Sequence, residues 1–181
     1  MIDMEDYGQN LATIEHYGRL AARGYPVALT LQAYLRKTEA DLRQVVDAGG
    51  MVRLVKGAFA AGTELAFTSQ AEIKENYRRL IMLMFSQHAK ERGFYPVVAT
   101  HDHRLQDLAI ETARANGWRQ GSYEFEMLYG TRNDLAHRRA REGERIRLYL
   151  PFGTDWWPYA VRRIGENPRN MLLLARSMFG H

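Results

Sequence analysis

The amino-acid sequence predicts an α/β fold built around a parallel sheet. Six short apolar runs alternate with segments whose apolar residues recur at helical spacing, and each run has a charged or hydrogen-bonding residue at its end or next to it. A strand that is repeatedly followed by a helix makes neighbouring strands parallel. The predicted strands cover residues 1–5, 27–32, 51–56, 96–101, 122–125 and 145–149.

Helices are predicted in the gaps between these strands. Apolar residues recur every three or four positions in 9–23, 38–48, 70–92 and 103–116, and one or two more helices are expected within 126–142. Thr38 is predicted to be an N-cap, and the segment 70–92 is predicted to form one long helix that ends at Gly93. Two final helices are expected at 154–164 and 167–179.

Polar residues near the ends of the predicted strands indicate a common site. The carboxyl ends of parallel strands lie at one edge of a sheet, where such folds carry their functional groups. We therefore expect five side chains to face one site: Asp3, Gln32, Lys56, His101 and Glu124.

The composition excludes several classes of protein. A chain of 181 residues is typical of a single domain, predicted here as 1–181, and the absence of cysteine removes disulfides and thiol catalysis. No apolar segment is typical of a secretion signal or a membrane span, so a cytoplasmic location is expected. The net charge is +4, but basic and acidic residues are interleaved, and the cluster at 138–141 is interpreted as a solvated helix face. No nucleic-acid partner is therefore predicted.

The chain length bears on the kind of sheet. A closed (β/α)8 barrel usually needs about 250 residues, and six strand–helix units in 181 residues amount to three quarters of one. The prediction is thus an incomplete TIM-like barrel of about six units, with a final helix over the barrel mouth. The chain also opens directly on a predicted strand, so the beginning of the barrel is expected to be absent.

The segment from Arg53 to Ala58 contains two cations followed by Gly57. Two cations at a strand end, next to a residue that lets the backbone approach closely, suit a bound anion. A lysine with only a structural ion pair is an equally reasonable interpretation. Lys56 could also act as a Schiff-base amine, provided that burial keeps the amine neutral.

Near the C-terminus, one predicted helix places Tyr159, Arg162 and Arg163 on one face, with Glu166 a turn further on. Two adjacent guanidinium groups can bind a carboxylate through paired hydrogen bonds, and Glu166 could hold one of them. The alternative is an exposed arginine pair on an amphipathic helix.

Thr100 and His101 are the last two residues of the fourth predicted strand, and His103 comes two residues later. Two histidines at this spacing raise the possibility of a metal ion, but no third ligand has suitable spacing. Hydrogen bonding to a phosphate or ribose is the favoured interpretation, and no metal is predicted.

These segments, in this order, resemble the proline dehydrogenase family, the FAD-dependent barrel enzymes that oxidise L-proline. The resemblance is collinear over essentially the whole chain, is closest to the short bacterial type, and ends in a Tyr-x-x-Arg-Arg helix. The segments that carry it are 2–5, 31–34, 53–58, 99–102, 123–130 and 149–166.

The resemblance implies a role for each matching residue. The implied catalytic residues are Asp3, Arg53 and Lys56. The implied substrate-binding residues are Leu54, Tyr149 and Tyr159, which would enclose the proline ring, and Arg162 and Arg163, which would bind its carboxylate. The implied FAD-binding residues are Gln32, Arg53, Val55, Lys56, Gly57, Ala58, Thr100, His101 and Glu166.

The implied reaction is hydride transfer from L-proline to FAD, which gives 1-pyrroline-5-carboxylate, with electrons then passed to a quinone. A quinone partner makes peripheral contact with the inner face of the membrane a possibility. A barrel lyase that uses Lys56 and a non-catalytic fragment are the alternatives.

Three departures from the family pattern have consequences. Phe59 stands where many relatives have tyrosine, and Glu126 stands where glutamine is usual. The resemblance also implies that the first two strand–helix units of the barrel are absent, and in the family those units supply a lysine for the substrate carboxylate. Their absence would leave open sheet edges, which favour self-association. The chain alone is therefore expected to bind FAD weakly and to be a poor catalyst.

Overall fold

Five parallel strands lie side by side in the computed structural model, which describes residues 1–4, 7–57, 61–150 and 153–154. The strands pair in chain order, so each new strand is added beside the previous one. The elements are α1 (Tyr7–Ala22), β1 (Leu29–Gln32), α2 (Thr38–Asp47), β2 (Met51–Val55), α3 (Gln70–Met84), α4 (Gln87–Glu91), β3 (Tyr95–Ala99), α5 (His103–Ala115), β4 (Glu124–Leu128), α6 (Asn133–Arg141) and β5 (Ile146–Tyr149).

One face of the sheet packs against the helices and forms the main core. Leu29 and Leu31 of β1 and Val52 and Leu54 of β2 point to this face and are almost completely buried. They pack with the apolar faces of α2 and α3, whose buried members include Leu42, Val45, Val46, Tyr77, Leu80, Ile81 and Met84. Burying a large apolar side chain stabilises the fold by about 1.5–3 kcal/mol, so this face holds the sheet and helices together.

The first predicted strand is reduced to one bridge. Ile2 pairs in parallel with Leu29: its N–H donates to the carbonyl oxygen of Ala28, and its own carbonyl accepts from the N–H of Thr30. The described part of the chain therefore has five strands rather than six. The bridge still places Asp3 beside β1, as expected from the order of the units.

The fifth predicted strand has different bounds from those expected. Residues 122–125 were predicted, whereas β4 runs from Glu124 to Leu128. Glu124 is therefore the first residue of the strand and does not lie at its carboxyl end. The strand continues through Glu126 because Arg53 and Arg147 compensate the buried charge of the Glu126 carboxylate. The alternation of apolar residues in the sequence does not reveal these partners.

The long helix predicted at 70–92 is two helices. The side chain of Ser86 accepts a hydrogen bond from the N–H of Ala89 and begins α4, while Phe85 ends α3. Ser and Thr hydroxyls favour such N-caps because they satisfy a free backbone N–H. The predicted cap at Thr38 is wrong: Lys37 is the N-cap of α2, and the Thr38 hydroxyl donates to the carbonyl oxygen of Gln32 instead.

The basic cluster at 138–141 is not simply a solvated face. Arg139 is buried, and its guanidinium donates to Gln106 Oε1 and pairs with Asp107 and Glu142. Burial alone would lower the pKa of Arg139, but the two carboxylates raise it above its ordinary value. This charged side chain therefore joins α6 to α5.

No helix in the described ranges is long and apolar enough to cross a membrane.

Candidate functional site

Arg53 lies at the centre of the candidate site, on the face of the sheet opposite the main core. Alternation along β2 sends Val52 and Leu54 to the helices and Arg53 to the other side. Its Nε donates to Thr30 Oγ1 over 3.1 Å and its Nη1 donates to Glu126 Oε2 over 3.2 Å, while Nη2 pairs with Asp3. Three oxygen atoms from three parts of the chain thus fix one guanidinium group.

A second ion pair lies on the same face, between β5 and β4. Arg147 Nε and Nη2 donate to the two carboxylate oxygens of Glu124 over 2.9 and 3.1 Å, and Nε is 3.7 Å from Glu126. The hydrogen bonds and charge of Glu124 raise the pKa of Arg147 above its ordinary value. We call this set of residues the polar face: Asp3, Thr30, Arg53, Glu124, Glu126 and Arg147.

Tyr95, at the start of β3, extends this network. Its hydroxyl accepts a hydrogen bond from Arg145 over 2.8 Å and lies 3.4 Å from Glu124 Oε2. Burial, and to a lesser degree the Glu124 carboxylate, raise the pKa of Tyr95 above its ordinary value. The hydroxyl therefore remains protonated and can donate to Glu124.

The ends of the first three strands bring together several predicted residues. Gln32 is the last residue of β1, Lys56 and Gly57 follow β2, and Thr100 follows β3. Gln32 is paired with Val55 in the sheet, so these residues share one edge. Lys56 is exposed, and its Nζ donates to Gln70 Oε1 at the start of α3. This edge presents polar and cationic groups suited to an anionic ligand.

Gly57 has a specific backbone role at this edge. Its φ of +98° is a conformation that other residues rarely adopt. A Cβ atom added at this position would overlap the ring of Tyr34. The chain can therefore turn directly after Lys56 only because a glycine stands there.

His101 connects the end of β3 to that of β4. Its Nε2 accepts a hydrogen bond from the backbone N–H of Leu128 over 2.8 Å, so a neutral ring carries its hydrogen on Nδ1. The next residue, Asp102, is the N-cap of α5 and pairs with Lys74 over 2.6 Å. Burial alone would raise the pKa of Asp102, but Lys74 and the backbone N–H groups of α5 lower it below its usual value.

The predicted substrate residues divide into three groups. Tyr149 is exposed at the end of β5 and lines a cavity of about 410 Å³ together with Arg53, Glu126 and Arg147. Leu54 is fully buried in the main core, on the opposite face of β2 from Arg53. The structure therefore does not bring Leu54 to the polar face, because alternation along the strand separates it from Arg53. Tyr159, Arg162 and Arg163 lie outside the described residues, as do Ala58 and Glu166 among the predicted FAD-binding residues.

The sequence interpretation missed how Thr30, Glu126 and Arg147 contribute. The sequence did contain a signal for these contacts: Glu124 and Glu126 alternate on β4, and Arg145 and Arg147 alternate from the residue just before β5 into that strand. Acidic and basic residues that alternate on neighbouring strands can pair across the sheet.

Within the described ranges, no three His, Asp or Glu side chains are grouped as metal ligands would be.

Comparison with known proteins connects this geometry to a family. The family model described as proline dehydrogenase matches residues 1–176. The chain is 38% identical over 179 residues to proline dehydrogenase from Deinococcus radiodurans, and 33% identical over 177 residues to proline dehydrogenase 2 from Bacillus subtilis. These matches cover 98% of this chain but only 56% and 57% of the relatives, so the chain spans a little over half of their length.

A solved structure supports the same relationship at the level of the fold. Proline utilization A from Bdellovibrio bacteriovorus, inactivated by N-propargylglycine, superposes with a TM-score of 0.83 at 26% identity. The match covers 98% of this chain and 20% of that protein. Together with the parallel sheet, it confirms the predicted (β/α)8-barrel class of fold.

Proposed function

Because this chain belongs to the proline dehydrogenase family, we propose that it takes part in the oxidation of L-proline to 1-pyrroline-5-carboxylate, the first step of proline catabolism. The observation that carries the proposal is the Arg53 guanidinium, held by Asp3, Thr30 and Glu126 on the face of the sheet away from the core. Because the Arg53 side chain is already ordered, it can bind and orient a polar ligand with little further loss of conformational entropy.

We propose FAD as the cofactor, and the donor groups fit its chemistry. FAD combines a ring system with hydrogen-bond acceptors, hydroxyl-rich sugar parts and an anionic pyrophosphate. Arg53 is a rigid donor, Lys56 is an exposed cation, and Thr100 has a hydroxyl at the same edge of the sheet. When bound, FAD would accept a hydride from L-proline and pass the electrons to a quinone.

The role of the chain's own residues would be to bind FAD and to orient it. Arg53 would donate to the acceptor edge of the flavin, and Gln32, Val55 and Gly57 would lie along it. Lys56, Thr100 and His101 would reach the more distant polar parts of FAD. Asp3 would pair with Arg53 on the solvent-exposed side of its guanidinium.

The substrate-binding part of the proposal rests on other residues. Tyr149 is exposed beside the polar face and could cover one side of a proline ring. Arg162 and Arg163 remain the predicted carboxylate ligands, and Tyr159 and Glu166 keep their predicted roles. Two guanidinium groups at a shielded site would bind a carboxylate strongly through paired, charge-assisted hydrogen bonds.

The lyase alternative has less support. A Schiff-base lysine is commonly activated by desolvation in an apolar pocket, whereas Lys56 is exposed and donates to Gln70. A cytoplasmic location, peripheral contact with the inner face of the membrane and self-association through sheet edges remain predictions.

The test is a titration of the purified chain with FAD, followed by anaerobic addition of L-proline. We expect weak but saturable binding, and bleaching of the flavin absorbance by L-proline but not by D-proline. Arg53→Ala should weaken binding or slow the bleaching. The matched control is Arg43→Ala, which removes an exposed arginine that pairs with Glu39 within α2, away from the polar face and from the strand ends. A wild-type chain that binds no FAD, or bound FAD that L-proline never bleaches, would contradict the proposal.

A further inference from the structure

Glu126 is a buried carboxylate in the middle of a strand. Its side chain is 7% exposed, it lies at the third position of β4, and it pairs with Arg53 over 3.2 Å. Burial of a carboxylate costs free energy unless a cation and hydrogen bonds compensate it. The position of Glu126 therefore depends on its partners, and theirs depend on it.

Of the two arginines near Glu126, Arg53 is the principal partner. Arg147 is 67% exposed, makes both its short hydrogen bonds to Glu124, and approaches Glu126 only to 3.7 Å. The side chain of Arg53 is 14% exposed and makes a direct hydrogen bond to Glu126. A less exposed pair is less screened by water, so the Glu126–Arg53 contact is the stronger one for Glu126.

The two carboxylates that contact Arg53, those of Asp3 and Glu126, also differ in how exposed they are to solvent. The Asp3 side chain is 56% exposed, whereas Glu126 is nearly inaccessible. An exposed carboxylate can exchange its partner for water at low cost, but a buried carboxylate cannot. Among the described contacts, Glu126 is therefore the fixed anionic anchor of Arg53, and Asp3 is the exchangeable one.

We propose that Glu126 is a positioning residue that sets the orientation of the Arg53 guanidinium. Nε and Nη1 of Arg53 donate to two buried groups, Thr30 and Glu126, whereas Nη2 pairs with Asp3 on the solvent-exposed side. The inference deepens the proposed function, because the orientation of Arg53 decides which of its N–H groups can meet the flavin.

The first test needs no cofactor and reads the environment of Arg53 directly. The side-chain Nε–H signal of Arg53 is observed by ¹H–¹⁵N NMR and assigned from its loss in Arg53→Lys. In Glu126→Ala we expect this signal to broaden or move towards the position of solvent-exposed arginines. Glu126→Gln keeps an acceptor of the same size and should restore a resolved signal.

The matched control is Glu124→Gln, which changes a buried glutamate two residues earlier on the same strand. Glu124 pairs with Arg147, so this variant should shift the Arg147 signal and leave that of Arg53 in place. An Arg53 signal that is unchanged in Glu126→Ala, or that shifts equally in Glu124→Gln, would overturn the proposal.

The second test joins the inference to FAD. Glu126→Ala should weaken FAD binding about tenfold, which corresponds to about 1.4 kcal/mol, and Glu126→Gln should recover most of the loss. In the Arg53→Ala background, Glu126→Ala should have little further effect, because the group that it positions is gone. Equal losses in both backgrounds would indicate a general structural role and would contradict the inference. Failure of the wild-type chain to bind FAD would count against the proposed function, while the NMR result would still decide the role of Glu126.

Discussion

Tyr77 donates its hydroxyl hydrogen to the backbone carbonyl oxygen of Leu54, over 2.6 Å, and so connects α3 to the end of β2. The same hydroxyl lies 3.3 Å from the carbonyl oxygen of Ala99, at the end of β3. Complete burial raises the pKa of Tyr77 far above its ordinary value, so it remains a donor. One side chain on the helix side of the sheet thus helps to hold the strand ends that carry Lys56 and His101.

Tyr77→Phe should lower the free energy of unfolding by about 1–3 kcal/mol, because it leaves a buried carbonyl oxygen without its donor while the ring still fills the core. The measurement is urea-induced unfolding followed by circular dichroism. Tyr25→Phe, at an exposed tyrosine, is the control and should change little. An equal effect in the two variants would contradict a specific role for the Tyr77 hydroxyl.

Gly57→Ala should destabilise the chain by about 1–3 kcal/mol or more, because it adds a Cβ at a φ of +98° and against the Tyr34 ring. Gly24→Ala separates the two causes, since Gly24 has a φ of +79° but no atom near its Cβ position. Thermal unfolding of both variants provides the measurement. The Gly57 variant should lose clearly more stability, and an equal loss would show that the contact with Tyr34 costs nothing.

Arg139→Met should lower the free energy of unfolding by about 1–3 kcal/mol. Asp107 and Glu142 are partly exposed and can recover hydration, but Gln106 is fully buried and would lose its donor. Arg138→Met is the neighbouring control: that side chain is half exposed and lies 3.9 Å from Glu142. We expect the control to stay within about 0.5 kcal/mol of the wild type, and a comparable loss there would argue against a special role for Arg139.

Asp102 should contribute to the acid sensitivity of the chain. Its pKa is lowered in the folded state, so its contribution is fully present above the pKa of the unfolded chain, near 4. The contribution is lost as the pH falls through the lower, folded-state pKa. Asp102→Asn should therefore flatten the dependence of unfolding free energy on pH in this acidic range. Urea unfolding at a series of pH values provides the measurement. If the unfolding free energy of the variant depended on pH as steeply as that of the wild type, Asp102 would not be a source of the acid sensitivity.

The alternation of strands and helices, and the polar residues at several strand ends, could be predicted from the sequence. Gln32 and Lys56 stand at strand ends, as the pattern predicts, because side-chain periodicity and turn residues act over a few positions. The bounds of β4 could not be predicted in this way. Two buried glutamates, Glu124 and Glu126, interrupt its apolar pattern. Their burial is compensated by arginines on other strands, which the local pattern does not show.

The sequence by itself determined the α/β class of fold and which edge of the sheet is polar, because both follow from local periodicity repeated along the chain. Only the tertiary structure decided that Glu126 holds Arg53, which lies 73 residues earlier in the sequence, and that Arg139 is buried rather than solvated. These contacts depend on strand register and helix packing. Both are set by the total free energy of the assembled core, in which a charge can be buried only where an opposite charge arrives from another element.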